Sequence, residues 1–199
     1  MSYKLLIASM MVCGTPNLLK NRLILSCSDS VWSPIQTLPV ELKRYFTDEL
    51  GNSAVNYGGF VQMVDVHALG LLAEHGLFAC FRCITENYLE QVQVYPPKAV
   101  YQKLIDDLIP MGWDISTGNG WLSASCHGCF PIDPYTGDEI DQHADKINKF
   151  GLFFTLDDCL TYCQTNNSLI PEHAPWFPVG IYVDKSSYAR LSGTLCIRH

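Results

Sequence analysis

Leu77-Phe-Ala-Cys-Phe-Arg-Cys-Ile84 is almost continuously apolar, and its reading decides the fold. An apolar run of this length, bounded by Gly76 and by Thr85-Glu-Asn87, is expected to form a strand covered on both faces. The next run, Tyr88 to Tyr95, contains the alternation Gln91, Val92, Gln93, Val94. That pattern predicts a half-buried strand and a hairpin with its predecessor. Upstream, residues 3–12 and 19–27 read as strands separated by Gly14-Thr-Pro-Asn17. Downstream, Trp113–Thr117 and Trp121–Cys126 flank Gly118-Asn-Gly120, and Asn-Gly admits the positive φ angles of a tight hairpin turn. Gly180–Asp184 and Thr194–Arg198 read as closing strands.

Helical signals fall between these runs. Pro39 suits a first helical turn, where its missing N–H is least needed. Leu42, Tyr45, Phe46 and Leu50 follow at helical spacing, which predicts a helix over 39–50. Residues 65–75 predict another, stopped by Gly76. Pro97 opens a third, with Val100, Tyr101, Leu104, Ile105 and Leu108 on one face and Lys98, Lys103, Asp106 and Asp107 on the other. Thr155-Leu-Asp-Asp158 resembles a capping box with Asp in place of Glu or Gln, and predicts a short helix beginning there. The expectation is therefore an α+β fold: a single domain over residues 1–199, a largely antiparallel sheet and about four helices.

Composition bounds the function. The chain has 199 residues, 48% hydrophobic and 17% charged, which suits a globular core rather than general disorder. Its net charge is −7, unevenly spread: residues 1–60 hold five basic and four acidic side chains, and the rest hold eight and sixteen. Such a surface repels phosphate backbones, so direct nucleic-acid binding is not expected. A basic protein would instead be steered toward it. The opening run Lys4-Leu-Leu-Ile-Ala-Ser-Met-Met-Val-Cys13 is shorter than a membrane span and lacks a small-x-small cleavage site. It reads as a buried strand, and no membrane association is expected. The thiols are then expected in a reducing cytoplasm.

Nine cysteines include three close pairs: Cys80/Cys83, Cys126/Cys129 and Cys159/Cys163. The first two pairs supply the number and type of ligands for structural zinc. Against that reading, positions three apart on an unbroken strand lie on opposite faces, and Phe81-Arg82 contains no Gly or Pro to turn the chain. Buried reduced cysteine acting as a small hydrophobe is the favoured alternative, and no metal or cofactor is expected. Cys159 and Cys163 are four apart on the predicted helix, a core spacing. Cys126-His-Gly-Cys129 runs into Phe-Pro-Ile-Asp-Pro, a poor helix start for a redox pair. There is no G-x-S-x-G, H-E-x-x-H or P-loop motif. A nucleophilic pair of Cys126 or Cys129 with His143 or His173 has nothing local to order it.

The segment from Asp133 to Asp145 carries Asp133, Asp138, Glu139, Asp141 and Asp145, with no basic residue before Lys146. Asp133-Pro-Tyr-Thr-Gly-Asp138 misplaces the glycine that an EF-hand requires. The segment reads either as a solvated loop or as an electrostatic docking surface, with Tyr135 adding aromatic contact area.

Three stretches carry a resemblance. Gly112-Trp-Asp-Ile-Ser-Thr-Gly-Asn-Gly-Trp121, Phe150-Gly-Leu-Phe-Phe-Thr-Leu-Asp-Asp-Cys159 and Pro175-Trp-Phe-Pro-Val-Gly-Ile-Tyr182 resemble bacterial immunity proteins of polymorphic and contact-dependent growth-inhibition toxin systems. The resemblance spans the last half of the chain, and it includes no motif whose functional residues carry over position by position. It implies a small cytoplasmic protein without catalysis, which binds a cognate toxin domain and occludes its active site. The expected partner is a basic toxin domain, a nuclease for instance. The expected contact residues are Asp133, Tyr135, Asp138, Glu139, Asp141 and Asp145, helped by Asp106 and Asp107. The competing expectation is a zinc-binding regulatory protein or enzyme using Cys80, Cys83, Cys126 and Cys129.

Overall fold

A computed structural model describes residues 5–13, 18–19, 22–23, 40, 44, 60–61, 74, 78–85, 88, 108–116, 144–169, 171 and 174–197. Its centre is an antiparallel sheet of five strands. β1 (Leu5–Cys13), β4 (Phe60–Val61), β5 (Phe78–Thr85), β6 (Ile109–Ser116) and β7 (Phe177–Val183) lie in the order β4-β1-β5-β7-β6. Two helices follow the hairpin that trails β6: α1 (Leu156–Leu169), which leads into β7, and α2 (Lys185–Ile197), which leaves it. The fold class is α+β, with an antiparallel sheet.

The apolar run behaves as its composition requires. Phe81, Cys83, Ile84 and Thr85 are all buried, consecutive residues included, so β5 is covered on both faces. Both of its edges are also paired, to β1 from Leu5↔Thr85 to Cys13↔Phe78 and to β7 from Cys80↔Val183 to Cys83↔Gly180. This corrects the expected pairing of 77–84 with 88–95, of which residues 89–95 lie outside the described residues. A strand buried on both faces sits inside the sheet, and distant strands have taken both places beside it. Tyr88 lies in a 3₁₀ turn with its ring stacked on Phe177 at 5.9 Å. The expected continuous strand at 19–27 is likewise corrected at its start, where Leu18–Leu19 (β2) and Arg22–Leu23 (β3) pair with each other as a two-stranded sheet, and residues 20–21 and 24–27 lie outside the described residues.

β7 is longer than its sequence signal suggested, because Pro178 interrupts the strand pattern. Pro178 is opposite Ile115 on β6, while pairing to β5 begins only at Gly180. The missing N–H therefore falls beyond the β5 ladder, where a sheet tolerates proline. Phe177, Val179, Ile181 and Val183 are fully buried along one face. On the other face Gly180 leaves room for two rings. A Cβ there would lie 3.0 Å from the Tyr182 ring and 3.4 Å from that of Trp113.

The helix expected at Thr155 forms, through the capping contacts that the sequence offered. Thr155 Oγ1 accepts a 3.1 Å bond from the Asp158 N–H and donates a 2.6 Å bond to the Asp158 carboxylate. Asp157 and Asp158 in the first turn also suit the positive end of the helix dipole. Cys159, Cys163 and Asn166 form the buried face. The two cysteines pack with Ile115, Ile147, Phe153 and Trp176, flanked by Trp113 and Tyr162. Asn167 holds the entry to β7 by pairing with both backbone groups of Trp176, at 2.8 and 3.2 Å.

The expected strand at Thr194–Arg198 is a further correction, since α2 continues through Ile197. Asp184 is the reason. Its carboxylate accepts the backbone N–H groups of Ser186 and Ser187 at 2.9 and 3.0 Å, together with both serine hydroxyls. A strong N-cap immediately after β7 commits the following residues to a helix. Ser187 and Leu191, one turn apart, are its buried residues among those described. Of the other expected helices, Val40, Arg44 and Glu74 are helical, and the remainder of 39–50 and 65–75 lies outside the described residues. The helix opened by Pro97 is corrected at its end, where Leu108 is a buried bend leading directly into β6, and residues 97–107 lie outside the described residues. So does the strand expected at 121–126. Among the described residues, no helix is long and apolar enough to cross a membrane.

Candidate functional site

The region that deserves a functional reading lies where β6 meets the segment following the acidic run. Residues 146–154 fold into a tight hairpin. Asn148 N–H donates to Leu152 O at 2.8 Å, Gly151 N–H to Asn148 O at 3.0 Å, and Phe154 N–H to Lys146 O at 3.0 Å. Gly151 has φ +70°, a left-handed conformation in which glycine carries no side-chain penalty. Phe153 then exchanges both backbone bonds with Trp113, at 3.0 and 2.8 Å, and so docks the hairpin on the outer edge of β6.

Docking depends on Gly112. A register shift between Pro110 and Gly112 kinks β6, and Gly112 adopts φ +141°. A Cβ there would sit 2.8 Å from Asn148 Nδ2, from Leu152 Cβ and from Phe153 O. Asn148 completes the join. Its Nδ2 donates to Met111 O at 2.7 Å, while its Oδ1 accepts from Phe150 N–H at 2.8 Å and Leu152 N–H at 3.3 Å. Ile147, Phe150, Leu152 and Phe153 are buried by this arrangement. Phe150 also meets the Tyr188 ring of α2 at 6.4 Å and carries Lys149 Nζ 5.0 Å from its centroid.

Of the expected contact residues, Asp145 lies in the exposed turn at 144–146, directly before the hairpin. Asp133, Tyr135, Asp138, Glu139 and Asp141 lie outside the described residues, as do Asp106 and Asp107. The hairpin therefore fixes the C-terminal end of the acidic segment to the sheet edge. Its residues carried a readable signal that the sequence analysis passed over: Asn148-Lys-Phe-Gly151 has a turn-forming Asn followed by a Gly at the position needing positive φ. Asp114, buried beside this edge, had no such signal, because its role depends on the direction of the strand's backbone.

The cysteines divide differently. Cys83 is completely buried and its thiol pKa is pushed up by burial. Burial likewise raises Cys159, with further contributions from its hydrogen bond to Cys163 and from the charges of Cys163, Asp114 and Asp158. Cys159 Sγ donates to Asp114 O at 3.3 Å. Cys83, Cys159 and Cys163 are free, buried thiols, and the surroundings of Cys83 and Cys159 favour the neutral form, which suits packing and opposes both nucleophilic and ligand roles for those two. β5 runs without a break from Phe78 to Thr85, so no turn brings positions 80 and 83 together. Cys126, Cys129, His143 and His173 lie outside the described residues. Tyr182 is pushed up to about 12, first by burial and then by Cys83, and so remains a neutral phenol at physiological pH.

The chain matches no family model, no curated protein and no solved structure.

Proposed function

We propose that this chain is a cytoplasmic immunity protein, a single α+β domain with about four helices, that binds a cognate toxin domain and covers its active site. It performs no catalysis of its own. The observation that carries this reading is the acidic segment Asp133–Asp145, five carboxylates with no intervening Lys or Arg in a chain of net charge −7. The partner is a basic toxin domain, with a nuclease as the best-fitting class, because a surface evolved to hold phosphate is complementary to this one. Asp133, Asp138, Glu139, Asp141 and Asp145 supply attraction and register, and Tyr135 supplies contact area.

Two features support the reading. Asp145 is exposed at the point where the segment joins the sheet, and the hairpin that follows gives the segment a fixed end. A surface held at one end loses less freedom on binding than an unanchored one. The direct test combines the purified protein with the toxin domain encoded by the neighbouring reading frame. The expected result is a 1:1 complex and loss of the toxin's activity at stoichiometric ratio. An active toxin domain that forms no complex at micromolar concentration would overturn the proposal.

A further inference from the structure

β6 ends the described order of the five-stranded sheet, and the outer edge of such a strand ordinarily offers unpaired N–H and C=O groups to any chain able to add a strand. Here those groups are satisfied one after another. Met111 O accepts from Asn148 Nδ2 at 2.7 Å, and Trp113 exchanges both backbone bonds with Phe153. Alternate residues of a strand direct their N–H and C=O groups to the same side. Ile115 therefore faces outward like Trp113, and its N–H donates to Asp114 Oδ1 at 2.8 Å within the buried interior. Asp114 is only 7% exposed, an expensive place for a carboxylate that has no structural task.

We infer that Asp114 and Asn148 act as edge guards: with the hairpin, they close β6 against strand addition by a second copy of this chain. The inference concerns the sheet edge and is independent of the proposed toxin partner. Asn148 acts twice, by occupying Met111 O and by ordering the turn that keeps Phe153 in place. Asp114 closes the next outward donor beyond Phe153. Removing both frees Met111 O and the Ile115 N–H and loosens the turn that seats Phe153 on Trp113, which opens the edge from Met111 to Ile115. A second copy then fits because it presents the same uncovered edge, and two such edges can pair antiparallel about a two-fold axis.

The test uses full-length protein and three variants: Asp114→Ala, Asp114→Asn, and the double variant Asp114→Ala with Asn148→Ala. Sedimentation velocity across a concentration series reads association, and amide hydrogen exchange reads the edge. The double variant is expected to sediment faster as concentration rises, over a range in which the wild type does not change. In Asp114→Ala, the Ile115 amide is expected to exchange about tenfold faster, the change implied by loss of one ordinary hydrogen bond. Asp114→Asn, which retains a side-chain oxygen acceptor, is expected to restore slow exchange at Ile115. A folded double variant that sediments like wild type at every concentration would overturn the guard role. So would unchanged Ile115 exchange in Asp114→Ala, a measurement that stands if the double variant fails to fold.

Discussion

The outer edge of β6 and the turn at 144–146 flank the same hairpin, yet they are built in opposite ways. Along the edge, Asn148 takes Met111 O, Phe153 takes both backbone groups of Trp113 and Asp114 takes the Ile115 N–H, and Ile115, Ile147, Leu152 and Phe153 around them are buried. In the turn, Ala144, Asp145 and Lys146 are all exposed. The carboxylates divide along the same line. Asp114 and Asp184 are engaged with backbone N–H groups, whereas Asp145 stands on the surface. The contrast teaches that backbone recognition is closed here while side-chain charge is left available. A partner reading this region is expected to read charge and shape rather than to add a strand.

Substitutions on the closed side should be costly, and the largest effect is expected at Gly112. Gly112→Ala imposes a positive φ on a residue with a Cβ and drives that atom against Asn148, Leu152 and Phe153 O. Backbone strain and overpacking together predict a loss of about 2–4 kcal/mol in equilibrium urea unfolding. A loss below 0.5 kcal/mol, on the order of an ordinary surface change, would mean that the hairpin does not press on β6 as described.

The half-buried capping carboxylate Asp184 at the start of α2 comes next. Burial pushes the Asp184 pKa up, but hydrogen bonds from the side chains and backbone of Ser186 and Ser187 outweigh it and hold the carboxyl below its ordinary value. A depressed folded-state pKa means the stabilisation is present above the unfolded carboxylate pKa and is lost as pH falls through the folded value. Asp184→Ala should cost about 0.5–2 kcal/mol at neutral pH, the usual range for losing an N-cap. Asp184→Asn should keep much of the cap while flattening the acid limb of the stability profile. Wild-type and Asp184→Asn profiles that fall in parallel below neutral pH would remove this carboxylate from the acid response. The smallest effect belongs to the open side: Asp145→Lys should change stability by no more than about 0.5 kcal/mol.

Which parts of this comparison were legible in the sequence follows from how local each signal is. The apolar run at 77–84, the Thr155 cap and the Cys159/Cys163 spacing act within a turn or strand, and each could be read from neighbouring residues. The partners of β5 could not, because strands distant in sequence compete for its two edges and the adjacent run at 88–95 only looked the more convenient. Pro178 masked the start of β7 since tolerance of a proline depends on which side of the strand lacks a neighbour. The strand-like appearance of Thr194–Arg198 yielded to Asp184, a cap lying ten residues earlier. Gly112 and Asp114 were invisible for a related reason: one answers to a hairpin that docks from residues 146–154, the other to an edge that exists only once the sheet is assembled. Of the acidic segment, the structure describes Asp145, and the docking role rests on charge.

That role is tested most directly by association kinetics. Stopped-flow measurement of binding to the toxin domain, with Asp138, Glu139 and Asp141 all changed to Lys, should show association slowed by about tenfold or more at low ionic strength, with the gap narrowing as salt is added. Equal association rates for the variant and the wild type at low salt would contradict the account and remove the segment from the interface.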